Sequence, residues 1–148
     1  MKLYLDNRKA RALYSIKDQF EAGVVLTGGE VKSIREGRAS LAESFVRLGG
    51  GEAFVVNMYI HPYGFSDNRG YDPRRSRKLL LHKPEIEYLS SKVVGKGVTV
   101  VPLSIYEKNN KLKVKIALVK GKLRVDRRKE IKDRDLRIEL ERELRAGK

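Results

Sequence analysis

The sequence contains no cysteine, and only two of its 148 residues are histidine. Without cysteine the chain cannot form a disulfide, a thiolate nucleophile or a Cys-based zinc or iron–sulfur site. A metal site would have to combine carboxylates with His61 and His82, which are far apart in the chain. No apolar run is long enough to span a bilayer, and the first residues lack the apolar core of a signal peptide. We therefore expect a cytoplasmic protein that needs no cofactor, metal or membrane.

Positive charge is abundant, because 33 lysines and arginines accompany only 19 acidic residues, a formal net charge of +14. It is concentrated near the N-terminus, between Arg69 and Lys83, and in residues 120–148. Arginine favours bidentate contacts with phosphate. The distribution favours a nucleic-acid partner over a surface whose charge only aids solubility. The densest cluster consists of Arg74, Arg75, Arg77 and Lys78.

The apolar pattern predicts a mainly β fold that begins with an extended, bulged stretch at residues 12–26. Within it, Gly23 marks a bulge or a close backbone approach. Residues 27–30 are expected to form a turn, followed by a short helix that ends at Gly37.

Two hairpins are expected further along the chain. The first joins residues 45–48 to residues 53–60 through a glycine-rich turn at 49–52. The second joins residues 98–106 to residues 112–119, where alternation predicts one core face and one basic face with Lys113, Lys115 and Ala117. Between the hairpins we expect a loop at 61–73, an extended run at 77–81 and a helix from Pro84 to about Val94.

Five or six strands and two short helices, joined mostly by hairpins, favour a small antiparallel barrel of the oligonucleotide-binding type over residues 1–119. Residues 120–148 form a basic C-terminal tail with a thin apolar stripe at Leu136, Leu140 and Leu144. We expect this tail to be a conditional helix that becomes ordered on a partner. The alternative is a terminal helix docked on the barrel.

Catalytic signals are weak in this sequence. A two-histidine ribonuclease that uses His61 and His82 is conceivable, since such a pair can act as general acid and base. The glycine triplet at 49–51 lacks the Lys-Ser/Thr of a phosphate-binding loop, so a hairpin turn is the better interpretation. We predict that the protein is not an enzyme.

Several collinear segments resemble the small protein B family, whose members bind transfer-messenger RNA in bacterial trans-translation. They are FEAGVVLTGGEVKSIR at 20–35, NMYIHPY at 57–63, DPRRSRKLLLHK at 72–83, and the stretch from KVK at 113–115 to KGK at 120–122. Shorter matches, NRKA at 7–10 and DRR at 126–128, extend the resemblance towards both ends of the chain.

The resemblance implies an oligonucleotide-binding-like barrel that binds the tRNA-like domain of transfer-messenger RNA and accompanies it to stalled ribosomes. It implies that the tail enters the empty decoding centre and mRNA channel of the small subunit. Elongation factor Tu and alanyl-tRNA synthetase would be met only through the RNA, and the RNA-bound protein would be a monomer. A general RNA-binding barrel with a nonspecific basic arm remains the alternative.

The resemblance also implies the residues that contact RNA. Glu21 is unusual among them, because a carboxylate repels phosphate and must instead accept hydrogen bonds from base or 2′-hydroxyl donors, or hold a nearby arginine. The residues implied for the tRNA-like domain are Asn7, Arg8, Lys9, Glu21, Lys32, Arg74, Arg75, Arg77, Lys78, Leu80 and His82. Those implied for the ribosome are Lys120, Lys122, Asp126, Arg127 and Arg128.

Three positions depart from the family pattern. Arg127 replaces the usual lysine, and His82 stands where other members have asparagine. Val125 stands where some members carry an aromatic or histidine side chain able to stack on a ribosomal base.

Overall fold

A computed structural model of the protein describes residues 1–64, 68–94 and 97–121. Within these ranges the chain forms nine strands and three short helices. None of these helices is long and apolar enough to cross a membrane. In chain order the elements are β1 (Lys2–Asp6), α1 (Arg8–Leu13), β2 (Tyr14–Val24), α2 (Gly28–Arg35), β3 (Ala39–Ser40), β4 (Phe45–Gly49), β5 (Glu52–Val56), β6 (Tyr59–Ile60), β7 (Arg77–Leu80), α3 (Lys83–Lys92), β8 (Val98–Lys108) and β9 (Lys111–Gly121).

Seven strands form one sheet in the order β1-β8-β9-β2-β7-β5-β4, and every neighbouring pair is antiparallel. Strand β4 also contacts β8, so the sheet curls back on itself as a partly closed barrel. Strands β3 and β6 form a separate two-stranded sheet. The mainly antiparallel β architecture with short helices is confirmed and is consistent with an oligonucleotide-binding-like fold.

The main core lies inside the barrel, where alternate residues of β9, including Val114 and Ile116, are fully buried. The opposite face of β9 is basic only in its first half, at Lys113 and Lys115. Ala117, which was expected on the basic face, is instead buried in a second cluster with Ala10 of α1. The prediction missed this because α1 has six residues, too few to show a helical period.

Left-handed residues fix both main hairpins. Gly50 and Gly51, with φ of +61° and +76°, form the tight turn between β4 and β5, which confirms the first hairpin. Asn109 and Asn110, with φ of +54° and +63°, make a shorter turn between β8 and β9 than the predicted five residues. This geometry suits two-residue hairpins, because its twist matches that of the strands.

Another left-handed residue ends the apolar run that was expected to continue to Ile60. Asn57 has φ of +67°, and the chain turns there out of β5. Tyr59 and Ile60 consequently form β6 and pair with β3 instead of extending the hairpin.

Helix α2 begins at the residues that were expected to form a turn. The Thr27 hydroxyl accepts a hydrogen bond from the Glu30 N–H at 3.2 Å, and the Glu30 carboxylate accepts one from the Thr27 N–H at 3.0 Å. These reciprocal bonds satisfy two amides that an uncapped helix would leave unpaired. The helix ends at Arg35, and Gly37, which was predicted to cap it, follows two residues later with φ of +76°. Helix α3 ends at Lys92, slightly before the predicted Val94.

Replacement of Thr27 by alanine removes the cap of α2 and leaves the Glu30 side chain in place. We expect T27A to lower the free energy of unfolding by about 1 kcal/mol, and T27S to retain most of it. Urea unfolding of the wild type and both variants measures the effect. Equal losses in T27A and T27S would contradict the capping role of the hydroxyl.

Candidate nucleic-acid interface

A groove lies where β9, β2 and β7 run side by side, and residues of α2 and of the start of α3 complete its lining. Directly opposed residues of antiparallel strands share a face of the sheet. One such row, facing away from the main core, consists of Tyr106, Lys113, Gly23 and Leu80. A Cβ atom on Gly23 would lie 3.3 Å from the Cβ atom of Leu80. The predicted close approach at Gly23 is therefore confirmed, and it lets Leu80 pack down onto β2.

The groove has a volume of about 610 Å³ and combines charges of both signs with apolar surface. Three predicted site residues, Glu21, Leu80 and His82, line it together. Leu80 is 53% exposed, which offers an apolar contact to a base or a sugar. The groove's cations were not predicted as site residues: they are Arg35, Lys111 and Lys113.

The carboxylate of Glu21 is held at the edge of the groove. Its Oε1 accepts a hydrogen bond from the Tyr106 hydroxyl at 2.6 Å, and the Lys108 ammonium lies 3.5 Å from the same oxygen. The Tyr106 hydrogen bond lowers the pKa of Glu21, and Lys108 and Lys113 add to the effect against partial burial. Glu21 is therefore an anion that shares the groove with three cationic side chains, and it is held by Tyr106 and Lys108 rather than by the arginine that was one of the predicted alternatives.

Arg35, the last residue of α2, brings a guanidinium to the other side of the groove. Its Nε lies 3.3 Å from Oε1 of Glu107, and the Tyr4 hydroxyl donates to that same oxygen at 2.9 Å. Arg35 falls inside the segment that resembles the family, but nothing in the sequence shows that the end of α2 faces β8.

The cluster of Arg74, Arg75, Arg77 and Lys78 does not form one phosphate-binding surface. The side chain of Arg77 has no exposed area, and its Nη2 lies 2.6 Å from Oε2 of Glu30. Arg75 is about one third exposed, and its Nη2 lies 2.6 Å from Oε1 of the same carboxylate. The prediction that Arg77 contacts the RNA backbone does not fit this burial, and Arg75 is largely committed to Glu30.

Further hydrogen bonds complete the site around Glu30. The Tyr71 hydroxyl donates to Oε2 of Glu30 at 3.0 Å, and Arg77 donates to the Met58 carbonyl at 2.5 Å. Burial alone would raise the pKa of Glu30, but hydrogen bonds from Arg75, the Thr27 N–H and Arg77 outweigh it and lower the pKa to about 2. Burial and the neighbouring carboxylate raise the pKa of Tyr71 to about 12.

Other predicted contacts remain exposed but lie outside the groove lining. The Arg74 guanidinium lies 5.3 Å from the centre of the Tyr59 ring. The Lys32 ammonium lies 5.5 Å from the centre of the Tyr63 ring. Lys78 forms an exposed ion pair with a glutamate of β5 at 3.1 Å. Each of the three side chains still presents its cation to solvent.

The N-terminal trio also lies outside the groove lining. Asn7 is buried and caps α1: its Oδ1 accepts from the Ala10 N–H at 3.1 Å, and its Nδ2 donates to the Pro102 carbonyl at 2.8 Å. Arg8 and Lys9 are exposed on α1.

The predicted ribosome contacts fall almost entirely beyond the part of the chain that the structure describes. Lys120 belongs to β9, where it pairs with Ser15 and Val98, so it is part of the barrel and not of the tail. The remaining predicted contacts lie outside the described residues: Lys122, Asp126, Arg127 and Arg128.

His61 and His82 line different pockets. His61 accepts or donates a 2.7 Å hydrogen bond through Nδ1 with the Tyr59 hydroxyl, on a surface shared with Arg38, whereas His82 lies at the groove. General acid–base cleavage needs both groups at one bond. The arrangement therefore does not favour the two-histidine ribonuclease.

The model of a family described as SmpB protein matches residues 4–146. The chain belongs to the SmpB protein family. An SsrA-binding protein of Aquifex aeolicus (strain VF5) is 52% identical over 142 residues, which cover 95% of this chain and 90% of the relative. The SsrA-binding protein of Persephonella marina (strain DSM 14350 / EX-H1) is 49% identical over 146 residues, 99% of this chain and 96% of the relative.

A solved structure supports the same assignment. It is described as "tmRNA-SmpB: a journey to the center of the bacterial ribosome", and one of its chains matches this SmpB-family protein with a TM-score of 0.68. The two chains are 47% identical, and the match covers 80% of this chain and 83% of the solved one.

Replacement of Glu30 by glutamine leaves Arg77 buried without a counter-charge. We expect E30Q to lower the free energy of unfolding at neutral pH by about 3 kcal/mol. The folded-state pKa of about 2 lies below the ordinary 4.5, so the carboxylate's contribution is present above about pH 4.5 and is lost as the pH falls towards 2. Unfolding measured across this range should therefore depend less steeply on pH in E30Q.

The matched control is E36Q, which removes an exposed carboxylate just beyond the end of α2. This variant should keep the wild-type stability and its pH dependence. Parallel pH profiles for E30Q and the wild type would contradict the buried ion-pair interpretation.

Proposed function

We propose that this protein is the RNA-binding adaptor of trans-translation. It binds the tRNA-like domain of transfer-messenger RNA and delivers it to stalled ribosomes, which allows ribosome rescue and tagging of the nascent peptide. The observation that carries the proposal is 52% identity over 95% of the chain to a protein described as SsrA-binding. The protein acts in the cytoplasm and catalyses no reaction itself.

The groove supplies two kinds of RNA contact. Arg35, Lys111 and Lys113 attract phosphates, which provides affinity that is sensitive to salt. Glu21 works differently, because a carboxylate repels phosphate and accepts hydrogen bonds only from amino, imino or 2′-hydroxyl donors. The cations attract any RNA, whereas the carboxylate accepts only groups that donate a hydrogen bond. This combination suits the selective recognition of one RNA among many.

The proposed contacts with the tRNA-like domain differ from the set implied by resemblance alone. Arg77 is left out because its side chain is buried, and Asn7, which is also buried, is proposed to act through α1, which it caps. Arg35, Lys111 and Lys113 are added because they share the groove with Glu21. The exposed cations outside the groove remain as candidate phosphate contacts: Arg8, Lys9, Lys32, Arg74 and Lys78.

We assign the ribosomal contact to residues 122–148, with Lys122, Asp126, Arg127 and Arg128 in the empty decoding centre. A segment that folds as a helix only on an empty mRNA channel would couple binding to the absence of message. Elongation factor Tu and alanyl-tRNA synthetase are reached only through the RNA, and one protein molecule binds each RNA.

The binding test compares two RNAs at a fixed salt concentration of about 0.15 M. We expect the tRNA-like domain to bind at least roughly tenfold more tightly than an ordinary tRNA of similar length, because specific sites exceed nonspecific ones by large factors. Filter binding or fluorescence anisotropy measures both affinities. Equal affinities would contradict the proposal and favour a general RNA-binding barrel.

A truncation after Gly121 separates the two RNA-binding roles. We expect the shortened protein to retain affinity for the tRNA-like domain, because β9 and the groove are intact, and to lose peptide tagging in a reconstituted assay with stalled ribosomes. The matched full-length control is K120A, which changes a barrel residue and should support normal peptide tagging. Tagging by the truncated protein would remove the tail from the mechanism.

A further inference from the structure

We propose that Tyr106 is a positioning residue for RNA recognition, whose hydroxyl fixes the Glu21 carboxylate so that one of its oxygens is reserved for the RNA. The inference rests on the proposed function, since it assumes that Glu21 contacts the RNA. Tyr106 itself is only 3% exposed, so it acts through Glu21 and not by direct contact.

The Tyr106 hydroxyl is the donor in its hydrogen bond with Glu21. Burial, together with the carboxylate of Glu21, raises the pKa of Tyr106 above its ordinary value of 10. The hydroxyl therefore keeps its proton and donates to Oε1 of Glu21 at 2.6 Å. The short bond to an ionised acceptor is of the stronger, charge-assisted kind.

The ring that carries this hydroxyl is held firmly. Tyr106 lies in β8, between β1 and β9, and pairs with Leu3 on one side and Lys113 on the other. The Lys115 ammonium lies 5.9 Å from the centre of the ring. From this fixed position the Tyr106 hydroxyl reaches across β9 to Glu21 of β2.

Both partners of Glu21 use the same oxygen. The Tyr106 hydroxyl and the Lys108 ammonium both approach Oε1, so a donor on the RNA would be received by Oε2. An unrestrained glutamate would lose rotamer freedom when RNA binds, and that loss would weaken binding. Tyr106 imposes the restriction beforehand, in the free protein.

The test removes one oxygen atom. Y106F keeps the aromatic ring, so its circular dichroism spectrum should show an intact fold. We expect this variant to bind the tRNA-like domain about fivefold more weakly than the wild type. The matched control is Y88F, because the Tyr88 hydroxyl also donates to a carboxylate, Asp18, at 2.6 Å but neither residue lines the groove. Y88F should bind like the wild type. Wild-type affinity in Y106F would overturn the inference.

A double-mutant cycle distinguishes positioning from general weakening. In an E21A background the Y106F change should cause no further loss, since there is no carboxylate left to position. Equal fold losses from Y106F in both backgrounds would overturn the inference while leaving the RNA-binding function intact. Failure of E21A to weaken binding would overturn it by removing the assumed contact, and failure of the wild type to prefer the tRNA-like domain would overturn the proposed function as well.

A measurement on the free protein needs no RNA. Carbon-detected NMR titration of Glu21 should give a higher pKa in Y106F than in the wild type, because the hydroxyl stabilises the ionised form. An unchanged pKa would show that the hydroxyl does not hold the carboxylate and would overturn the inference.

Discussion

The carboxylate of Glu30 joins parts of the chain that are far apart in sequence. It starts helix α2 by capping, and it binds Arg75 and Arg77, which lie 45 and 47 residues later, just before and at the start of β7. Isolated buried charges are strongly unfavourable, so the buried side chains of Glu30 and Arg77 require each other, and Arg75 is a second, partly exposed partner of Glu30. The network fixes α2 against β7, and those two elements bring Arg35 and Leu80 to the groove. The groove proposed to bind RNA therefore depends on an ion-pair network that lies outside its lining.

The fold follows from the sequence where local chemistry decides it. Gly50 and Gly51 specify a hairpin turn, and Gly37 ends a helix, because few other residues adopt left-handed backbone readily. Strand β1, helix α1 and strand β3 were not predicted, and β6 was predicted only as the end of a longer strand. They have two to six residues and are held by distant partners, such as the Pro102 carbonyl that binds Asn7. A periodicity of apolar residues cannot appear in so short a segment.

The candidate site could be predicted only in part, and from resemblance to a family rather than from local backbone chemistry. Resemblance to a family identified Glu21, Leu80 and His82, which the fold brings to one groove. The density of positive charge in the sequence did not reveal that Arg77 is buried, because a run of arginines reads the same whether it faces solvent or a buried carboxylate. Pairing between Glu30 and the arginines is a long-range property of the fold. The same holds for Tyr106, whose hydroxyl meets Glu21 from 85 residues away.

Strand β9 sets the distance between the groove and Gly121 at the other end of the strand. Its first residues, Lys111 and Lys113, line the groove, and its last, Gly121, closes the opposite end by pairing with Tyr14 of β2. Its eleven residues span ten steps of about 3.3 Å, so the strand is roughly 33 Å long. Because β9 is bonded on both sides, to β8 and β2, its length cannot change without disturbing two ladders. Gly121, the last residue that the structure describes, is thus held at a set distance from whatever the groove binds.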